Sequence, residues 1–322
     1  MDQHVDPRTT KLAIVGAGSV GATMAYAALM RGAARTVALY DVNRAKVEAE
    51  TLDLRHGIQF VPMTDVVGSD QVEVCADADV VVVTAGAKQR PGQSRLELAE
   101  RTVALVAQIM PGLVEVAPRA IFVMVTNPVD VVTYAALKAS GLPPERVFGS
   151  GTVLDSSRLR HLVAQHCGVA VQNVHAYVAG EHGDTEFPLW SSATIGGVPL
   201  LEWEGLPGSG GPLTREVRDG IAEDVVRAAY RIIEGKGATN YAVGLAATRI
   251  IEAVLNDEGR VLPVSRLLEG YHGESDVCLS VPTVVGRRGA EKQLEVPMSS
   301  DEITALRRSG EALREVARGL GL

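Results

Sequence analysis

Cysteine, basic charge and long apolar runs are all scarce in this 322-residue sequence. The three cysteines, Cys75, Cys167 and Cys278, lie far apart and form no CxxC pair, which argues against a disulfide framework and against a cysteine-based metal site. No apolar run is long enough to cross a bilayer, and the polar start MDQHVDPRTT has no signal-peptide core. We therefore expect a cytoplasmic protein with reduced thiols and no membrane partner.

An excess of positive charge is also missing. The sequence has 31 Lys and Arg residues against 39 Asp and Glu residues, which gives a formal net charge of −8 at pH 7. This balance argues against a nucleic-acid partner bound through its phosphate backbone, although it leaves room for a local basic pocket. The 46% of hydrophobic and 22% of charged residues are typical of a globular protein long enough for two domains.

Apolar strand-like segments alternate with helical segments over the first 150 residues. KLAIV, TVALY, DVVVVTAG and AIFVMV have the composition of buried strands, and the stretches between them have helical spacing. This alternation predicts an α/β fold with a doubly wound parallel sheet of the Rossmann type, covered by helices on both faces. Beyond Gly151 the pattern changes. We therefore predict one domain over residues 1–150 and a second, α+β domain over residues 151–322.

A glycine pattern after the first strand predicts a dinucleotide site. Gly16, Gly18 and Gly21 form GxGxxG, in which the first glycine permits a tight turn, the second lets backbone approach a pyrophosphate, and the third lets strand and helix pack closely. Asp41 ends the next strand, where an acid can accept hydrogen bonds from ribose hydroxyls and repel a 2′-phosphate. The pattern favours NAD as the cofactor of the 1–150 domain. The alternative is a packing turn followed by a strand-end acid.

Two polar segments beyond residue 150 carry groups that hydride transfer at a carbinol would need. In GEHGD, His182 is a candidate acid–base group, and a capped turn is the alternative. In LDSSRLR, Asp155 and Arg158 are neighbours on one helix face, because they are three residues apart. Asp155 could orient a histidine ring, and Arg158 could hold a carboxylate by a two-point fork. The alternative for this pair is a surface ion pair.

Two more candidates follow strands, where a doubly wound sheet opens its ligand crevice. Arg95 belongs to the loop QRPGQSR and could swing over a substrate, exclude water and polarise its carbonyl. Asn127, in VTNP, could bond the nicotinamide ribose or the substrate oxygen, although Asn-Pro is also a common turn.

Six motifs occur in order across almost the whole chain: GAGSVG, QRPGQSR, TNP, LDSSRLR, GEHGD and EGKGATNYAVG. Together they resemble the lactate/malate dehydrogenase family, and most closely its bacterial lactate-specific members. The resemblance implies a fermentative oxidoreductase that interconverts pyruvate plus NADH and L-lactate plus NAD. It implies His182 as the proton donor and acceptor, Asp155 as its partner, Arg158 as the carboxylate anchor and Arg95 as the mobile polarising arginine.

The resemblance also implies two sets of binding residues and no metal. The substrate set is Gln89, Arg95, Asn127, Arg158 and Thr239. The cofactor set is Gly16, Gly18, Val20, Gly21, Asp41, Thr84, Gly86 and Asn127.

Gln89 bears on the choice between lactate and malate. Malate enzymes of the family have arginine at this position, and a neutral glutamine leaves a second substrate carboxylate unpaired, at a cost of about 3–5 kcal/mol. Pyruvate is therefore favoured over oxaloacetate. Arg90 could enter the pocket after a register shift, Lys88 stands where many relatives have asparagine, and Asn240 stands where an aromatic residue is common. A malate or broader 2-hydroxy acid dehydrogenase is thus the alternative.

Arg160 and His175 suggest a second site. Arg160 is two residues from Arg158, so it points to another side of the helix. In relatives activated by fructose 1,6-bisphosphate, the matching arginine and histidine line a phosphate pocket between subunits. The resemblance therefore implies an allosteric homotetramer with this effector. The alternative is a surface arginine and a strand-edge histidine.

Two readings from other classes remain. A NAD-dependent, metal-using glycosidase shares the general architecture, and Cys167 follows His166 in the sequence. Adjacent residues on a helix point apart, however, and this reading leaves GEHGD and LDSSRLR unexplained. A catalytically silent NAD-binding protein is the other reading, since fold alone does not guarantee activity.

Overall fold

The computed structural model describes residues 9–87 and 95–322, except for the side chains of residues 95 and 96. The predictions for Gln89, Lys88 and Arg90, and that for the side chain of Arg95, lie outside the described residues. Within them, the α-helices are α1 Ser19–Arg31, α2 Arg44–His56, α3 Arg95–Val116, α4 Val129–Ser140, α5 Val153–Cys167, α6 Arg215–Lys236, α7 Tyr241–Leu255 and α8 Ser300–Gly319.

Strands fall into one large sheet and two small ones. The strands of the large sheet are β1 Lys11–Val15, β2 Thr36–Tyr40, β3 Asp65–Ser69, β4 Val80–Val83, β5 Ile121–Met124, β6 Val147–Gly149, β12 Arg260–Tyr271, β13 Glu274–Gly286 and β14 Gly289–Gln293. Short strands form the small sheets: β7 Val174–His175, β8 Val178–Ala179, β9 Phe187–Pro188, β10 Thr194–Ile195 and β11 Val198–Pro199.

The first six strands form the doubly wound arrangement. They lie in the order β6-β5-β4-β1-β2-β3, and every neighbouring pair is parallel. Strand order reverses between β1 and β4, which opens a crevice at the carboxyl ends of the strands. The prediction of a Rossmann-type sheet followed by an α+β part is confirmed. The sequence analysis did not identify β3, because only Val66 of this edge strand is fully buried.

A long antiparallel hairpin extends the same sheet. β12 pairs with β13 over most of its length, and Ser265 of β12 pairs with Gly149 of β6. The sequence analysis also missed this hairpin. Proline, serine and charged residues interrupt both strands, so neither has the continuous apolar run that identifies β1 or β4.

Both faces of the sheet are covered. Along β1, Leu12 and Ile14 belong to the core that contains α1 and α7, whereas Ala13 and Val15 belong to the core of α3 and α4. This division follows from the two-residue repeat of a strand. Among residues 9–87 and 95–322, no helix combines the length and apolarity that a transmembrane segment requires.

Candidate active site

The glycine loop, which we define as residues 16–21, joins β1 to α1 with very little side-chain bulk. Gly16 has a φ of +105°, a left-handed conformation that glycine adopts without strain, and its N–H donates to the Tyr40 carbonyl oxygen at 2.7 Å. A Cβ on Gly21 would overlap the carbonyl oxygen of Gly16. Gly18 is the N-cap of α1 and offers no side-chain cap, so the first N–H groups of the helix stay available to an anion.

The remaining predicted cofactor residues surround this loop. Asp41 follows β2, and its Oδ2 accepts a hydrogen bond from the Ala17 N–H at 2.8 Å. Thr84 donates to the Gly16 carbonyl oxygen at 3.0 Å, and a Cβ on Gly86 would come within 2.6 Å of Thr126. Val20 packs against the core beneath the loop. The bare loop, the helix N-terminus and the strand-end acid fit a dinucleotide with an unphosphorylated ribose.

A group that we call the ionic cluster comprises Asp155, Arg158, His182 and Glu186. Asp155 lies in the first turn of α5 and is 1% exposed. Its Oδ2 lies 2.7 Å from His182 Nδ1, and its Oδ1 accepts from Arg158 Nη1 at 2.5 Å. The structure thus brings together the three side chains that the sequence analysis placed in the proton-transfer and anchoring roles.

The contacts of the ionic cluster set the charge of His182. Burial lowers the pKa of the imidazole, but the charge of Asp155 and its hydrogen bond raise this pKa by a larger amount, so that it lies at about 9. Burial raises the pKa of Asp155, and the opposing effect of His182 and Arg158 leaves it below its ordinary value. Asp155 is therefore ionised and His182 protonated at neutral pH. With Nδ1–H directed at Asp155, Nε2–H is the proton available for transfer.

Two polar contacts hold the 180–186 loop in place. The backbone N–H of His182 donates to Asp130 Oδ2 at 2.7 Å, and Asp130 is 2% exposed in the first turn of α4. Burial raises the pKa of Asp130 to about 6. The N–H of Glu181 donates to Ser309 Oγ of α8 at 3.1 Å. The sequence analysis missed Asp130, because an acid in the first turn of a helix usually serves only the helix dipole.

Glu186, a member of the ionic cluster, was also not predicted from the sequence. Its side chain is 4% exposed, and an oxygen lies 3.9 Å from His182 Nδ1. Burial and the charge of Asp155 raise the pKa of Glu186 to about 9. Donor atoms of Asp155, His182 and Glu186 lie within 4.8 Å of one another. Arg158 supplies the positive charge beside Asp155 that a metal ion would otherwise supply, so we interpret the group as an ionic cluster. The expected lack of a metal stays a prediction.

A cavity of about 520 Å³ opens over the ionic cluster. Asn127 at the end of β5 contributes to its wall, as do Leu98 of α3 and Val316 of α8. On the far side lie four residues of α6: Val226, Ala229, Tyr230 and Ile233. Thr239, half-buried between α6 and α7, is not among the described lining residues, so its substrate role stays a prediction. The cavity combines a charged floor with an apolar wall, which suits a small carboxylate.

Neither Arg160 nor His175 is among the described residues that line this cavity. Arg160 Nε donates to the carbonyl oxygen of Ala176 at 2.8 Å, and its guanidinium lies 4.9 Å from the ring centroid of Tyr177. His175 is exposed on β7. Arg160 therefore contacts the two residues that follow His175 in the chain.

Comparisons with known proteins give a consistent result. Residues 10–149 match the family model for the lactate/malate dehydrogenase NAD binding domain, and residues 152–319 match that for the alpha/beta C-terminal domain. The chain is similar to an L-lactate dehydrogenase of Bifidobacterium animalis subsp. lactis, with 57% identity over 314 residues, 98% of each chain. It is 45% identical to one from a Thermoanaerobacter species over 97% of this chain and 99% of that protein.

Solved structures agree. The lactate dehydrogenase MGS-M5 from a Medee basin deep-sea metagenome library has a TM-score of 0.92 and 35% identity, covering 98% of this chain and 100% of that one. The minor L-lactate dehydrogenase of Enterococcus mundtii has a TM-score of 0.90 and 38% identity, covering 97% and 98%. The first family match confirms NAD as the cofactor. By sequence and by structure, the chain belongs to the lactate/malate dehydrogenase family.

Proposed function

We propose that this protein is an NAD-dependent L-lactate dehydrogenase that interconverts pyruvate plus NADH and L-lactate plus NAD. The observation that carries the proposal is the 2.7 Å contact between His182 Nδ1 and Asp155 in a cavity that Arg158 also lines. A protonated acid and a carboxylate anchor are what reduction of a 2-oxo acid requires of the protein. The name that relatives up to 57% identical carry supports the same reaction.

The residues divide the work as follows. Arg158 donates one N–H to Asp155, and its other N–H groups remain available to the substrate carboxylate. His182 donates its Nε2 proton to the ketone oxygen during reduction and takes it back during lactate oxidation, while Asp155 stabilises the imidazolium. Bound NADH supplies the hydride to C2. Arg95, at the first position of α3, would polarise the ketone, and Asn127 would bond the nicotinamide side of the site.

The specificity and the division of the chain follow the same proposal. Gln89 favours pyruvate over oxaloacetate, and Thr239 completes the substrate pocket. Residues 1–150 form the NAD-binding domain, and residues 151–322 form the substrate and oligomerisation domain.

The direct test is the oxidation of NADH by the purified protein, followed at the absorbance band of the reduced cofactor. We expect pyruvate to exceed oxaloacetate in kcat/KM by about a hundredfold or more, which corresponds to an unpaired buried charge. Longer 2-oxo acids measure the breadth of the pocket. Activity that survives a chelator argues against the metal-using glycosidase. A preference for oxaloacetate, or no turnover of any 2-oxo acid, contradicts the proposal.

We also infer that fructose 1,6-bisphosphate activates the enzyme and that it acts as a cytoplasmic homotetramer. An exposed His175, next to the residue that Arg160 contacts, supports an anion site. The three free, buried cysteines suit a reducing compartment. Pyruvate saturation curves at about pH 7 with and without the bisphosphate test the activation, and we expect the bisphosphate to lower the KM. Superimposable curves would remove this part of the proposal.

A further inference from the structure

We propose that Glu186 is a third ionisable group of the active site, and that a substrate carboxylate binds only while Glu186 carries its proton. This inference deepens the proposed function and rests on it. It assigns a role to a residue that neither the glycine loop nor the proton-transfer pair explains.

The position of Glu186 supports the assignment. It lies four residues after His182, just before β9, and it lines the cavity from which the substrate would reach Arg158. Its side chain is only 4% exposed, and one oxygen approaches His182 Nδ1 to 3.9 Å. A buried carboxyl this close to the reacting imidazole must influence the charge of the site, whichever form it takes.

The neighbours of Glu186 decide which form it takes. Four charged groups interact with Glu186. His182 comes from the 180–186 loop, Asp155 and Arg158 come from α5, and Asp130 comes from α4. Further titratable groups line the same cavity, namely Glu181, Asp184 and Tyr230. Burial and the negative charges of Asp155 and Asp130 outweigh the positive charges and raise the pKa of Glu186 to about 9. Glu186 is therefore a neutral acid at pH 7.

Charge balance explains why the neutral form matters. In the site that is ready for pyruvate, Asp155 pairs with protonated His182, and the substrate carboxylate pairs with Arg158, so the charges of these four groups sum to zero. An ionised Glu186 would add one uncompensated buried negative charge beside the incoming carboxylate. It would also stabilise the proton on His182, which must leave during reduction.

A proton count follows from this balance. Binding of a carboxylate needs protons on both His182 and Glu186, and the pKa of each is about 9. Because the two groups interact, their protons come off in two steps that belong to the pair. Well above both steps, affinity should fall about a hundredfold per pH unit in the native protein. With a single titrating group it should fall about tenfold per unit.

The experiment measures oxamate, a non-reacting analogue of pyruvate, binding to the protein–NADH complex. Quenching of NADH fluorescence gives the Kd from about pH 7 to pH 10.5, and a pH indicator gives the protons taken up. At the alkaline end of this range, we expect the Kd of oxamate for the native protein to approach a hundredfold rise per pH unit. Binding of one oxamate there should approach an uptake of two protons. Glu186→Gln mimics the neutral acid. In this variant the Kd of oxamate should change about tenfold per pH unit, and binding should take up one proton. Its Kd at pH 7 should lie within about threefold of the native value.

Glu204→Gln is the matched control, since it makes the same substitution at an exposed acid that is not among the described lining residues of the cavity. It should keep the steep, two-proton dependence. A tenfold slope in the native protein, or a slope that Glu186→Gln leaves unchanged, overturns the inference. A failure of oxamate to bind with NADH at pH 7 overturns the proposed function instead, so the two failures are distinguishable.

Infrared spectroscopy provides a measurement that needs no folded variant. At pH 8, Asp130 is ionised, because its pKa is about 6. We expect a protonated-carboxyl band from Glu186 in the native protein at that pH, and its loss above about pH 10. Absence of this band at pH 8 contradicts the proposal.

Discussion

The glycine loop works through missing side chains, whereas the ionic cluster works through the charges of side chains that are present. In the loop, Gly16 and Gly21 leave no room for a Cβ, and a single six-residue stretch supplies the whole feature. In the cluster, Asp155 comes from α5, while His182 and Glu186 come from a loop that Asp130 of α4 holds. The first is a matter of packing, which pH does not change. The second depends on which groups hold protons.

This contrast teaches that the two halves of the reaction should fail in different ways. A substitution in the glycine loop should weaken cofactor binding and leave the pH dependence of the bound state unchanged. A substitution in the ionic cluster should leave cofactor binding intact and change turnover or its pH profile. Each prediction below tests one side of this separation.

The largest effect is expected from His182→Ala. Removing the imidazole removes the proton donor, so kcat for pyruvate should fall about a thousandfold, within the usual range for general acid–base catalysis. The Kd of NADH should stay within about twofold of the native value, because none of residues 16–21 lines the cavity that holds His182. Stopped-flow turnover and NADH fluorescence titration measure the two quantities. Near-normal turnover would show that another group donates the proton.

Asp155→Asn should have the next largest effect, through the pKa of His182. That pKa is about 9 because the charge and hydrogen bond of Asp155 more than offset burial. The protonated imidazole exists below the pKa, so lowering the pKa shrinks the active fraction from the alkaline side. We expect the alkaline limb of kcat/KM to move acidward by at least about one unit. At pH 7 we expect about a hundredfold loss, because the imidazole also loses the partner that fixes its tautomer and orientation. An unmoved limb would separate Asp155 from the titration of His182.

The two regions also differ in how far the sequence could predict them. The glycine loop is local, so GxGxxG between a strand and a helix identifies Gly16, Gly18 and Gly21 without tertiary information. His182 and Asp155 stand in separate motifs, and the sequence suggested a role for each. Glu186 and Asp130 were not predictable, because their importance depends on burial against His182, which only the folded loop creates.

The same reasoning explains the hairpin of β12 and β13 and the edge strand β3. Proline, serine and charged residues interrupt the apolar runs of β12 and β13, and the short edge strand β3 carries too few buried residues.

Gly21→Ala tests the packing side of the comparison. Its Cβ would overlap the Gly16 carbonyl oxygen, so the loop must shift at a cost of about 1–3 kcal/mol. We expect the Kd of NADH to rise about tenfold or more, while the alkaline limb at saturating NADH stays where it is in the native protein. A Kd unchanged from the native value would show that the loop can adjust without disturbing the cofactor.

Gly112→Ala is expected to have the smallest effect of these variants. It tests whether NADH binding requires glycine because of its position in the glycine loop or tolerates no alanine at any glycine. Gly112 lies inside α3, and nothing stands within 4 Å of the Cβ that alanine would add. Glycine in a helix interior costs about 0.5–1 kcal/mol relative to alanine, so the variant should gain about that much in the free energy of unfolding. Denaturant titration measures the gain, and NADH titration should give the native Kd. If Gly112→Ala instead weakened NADH binding as Gly21→Ala does, the effect of the glycine loop would no longer be specific to its geometry.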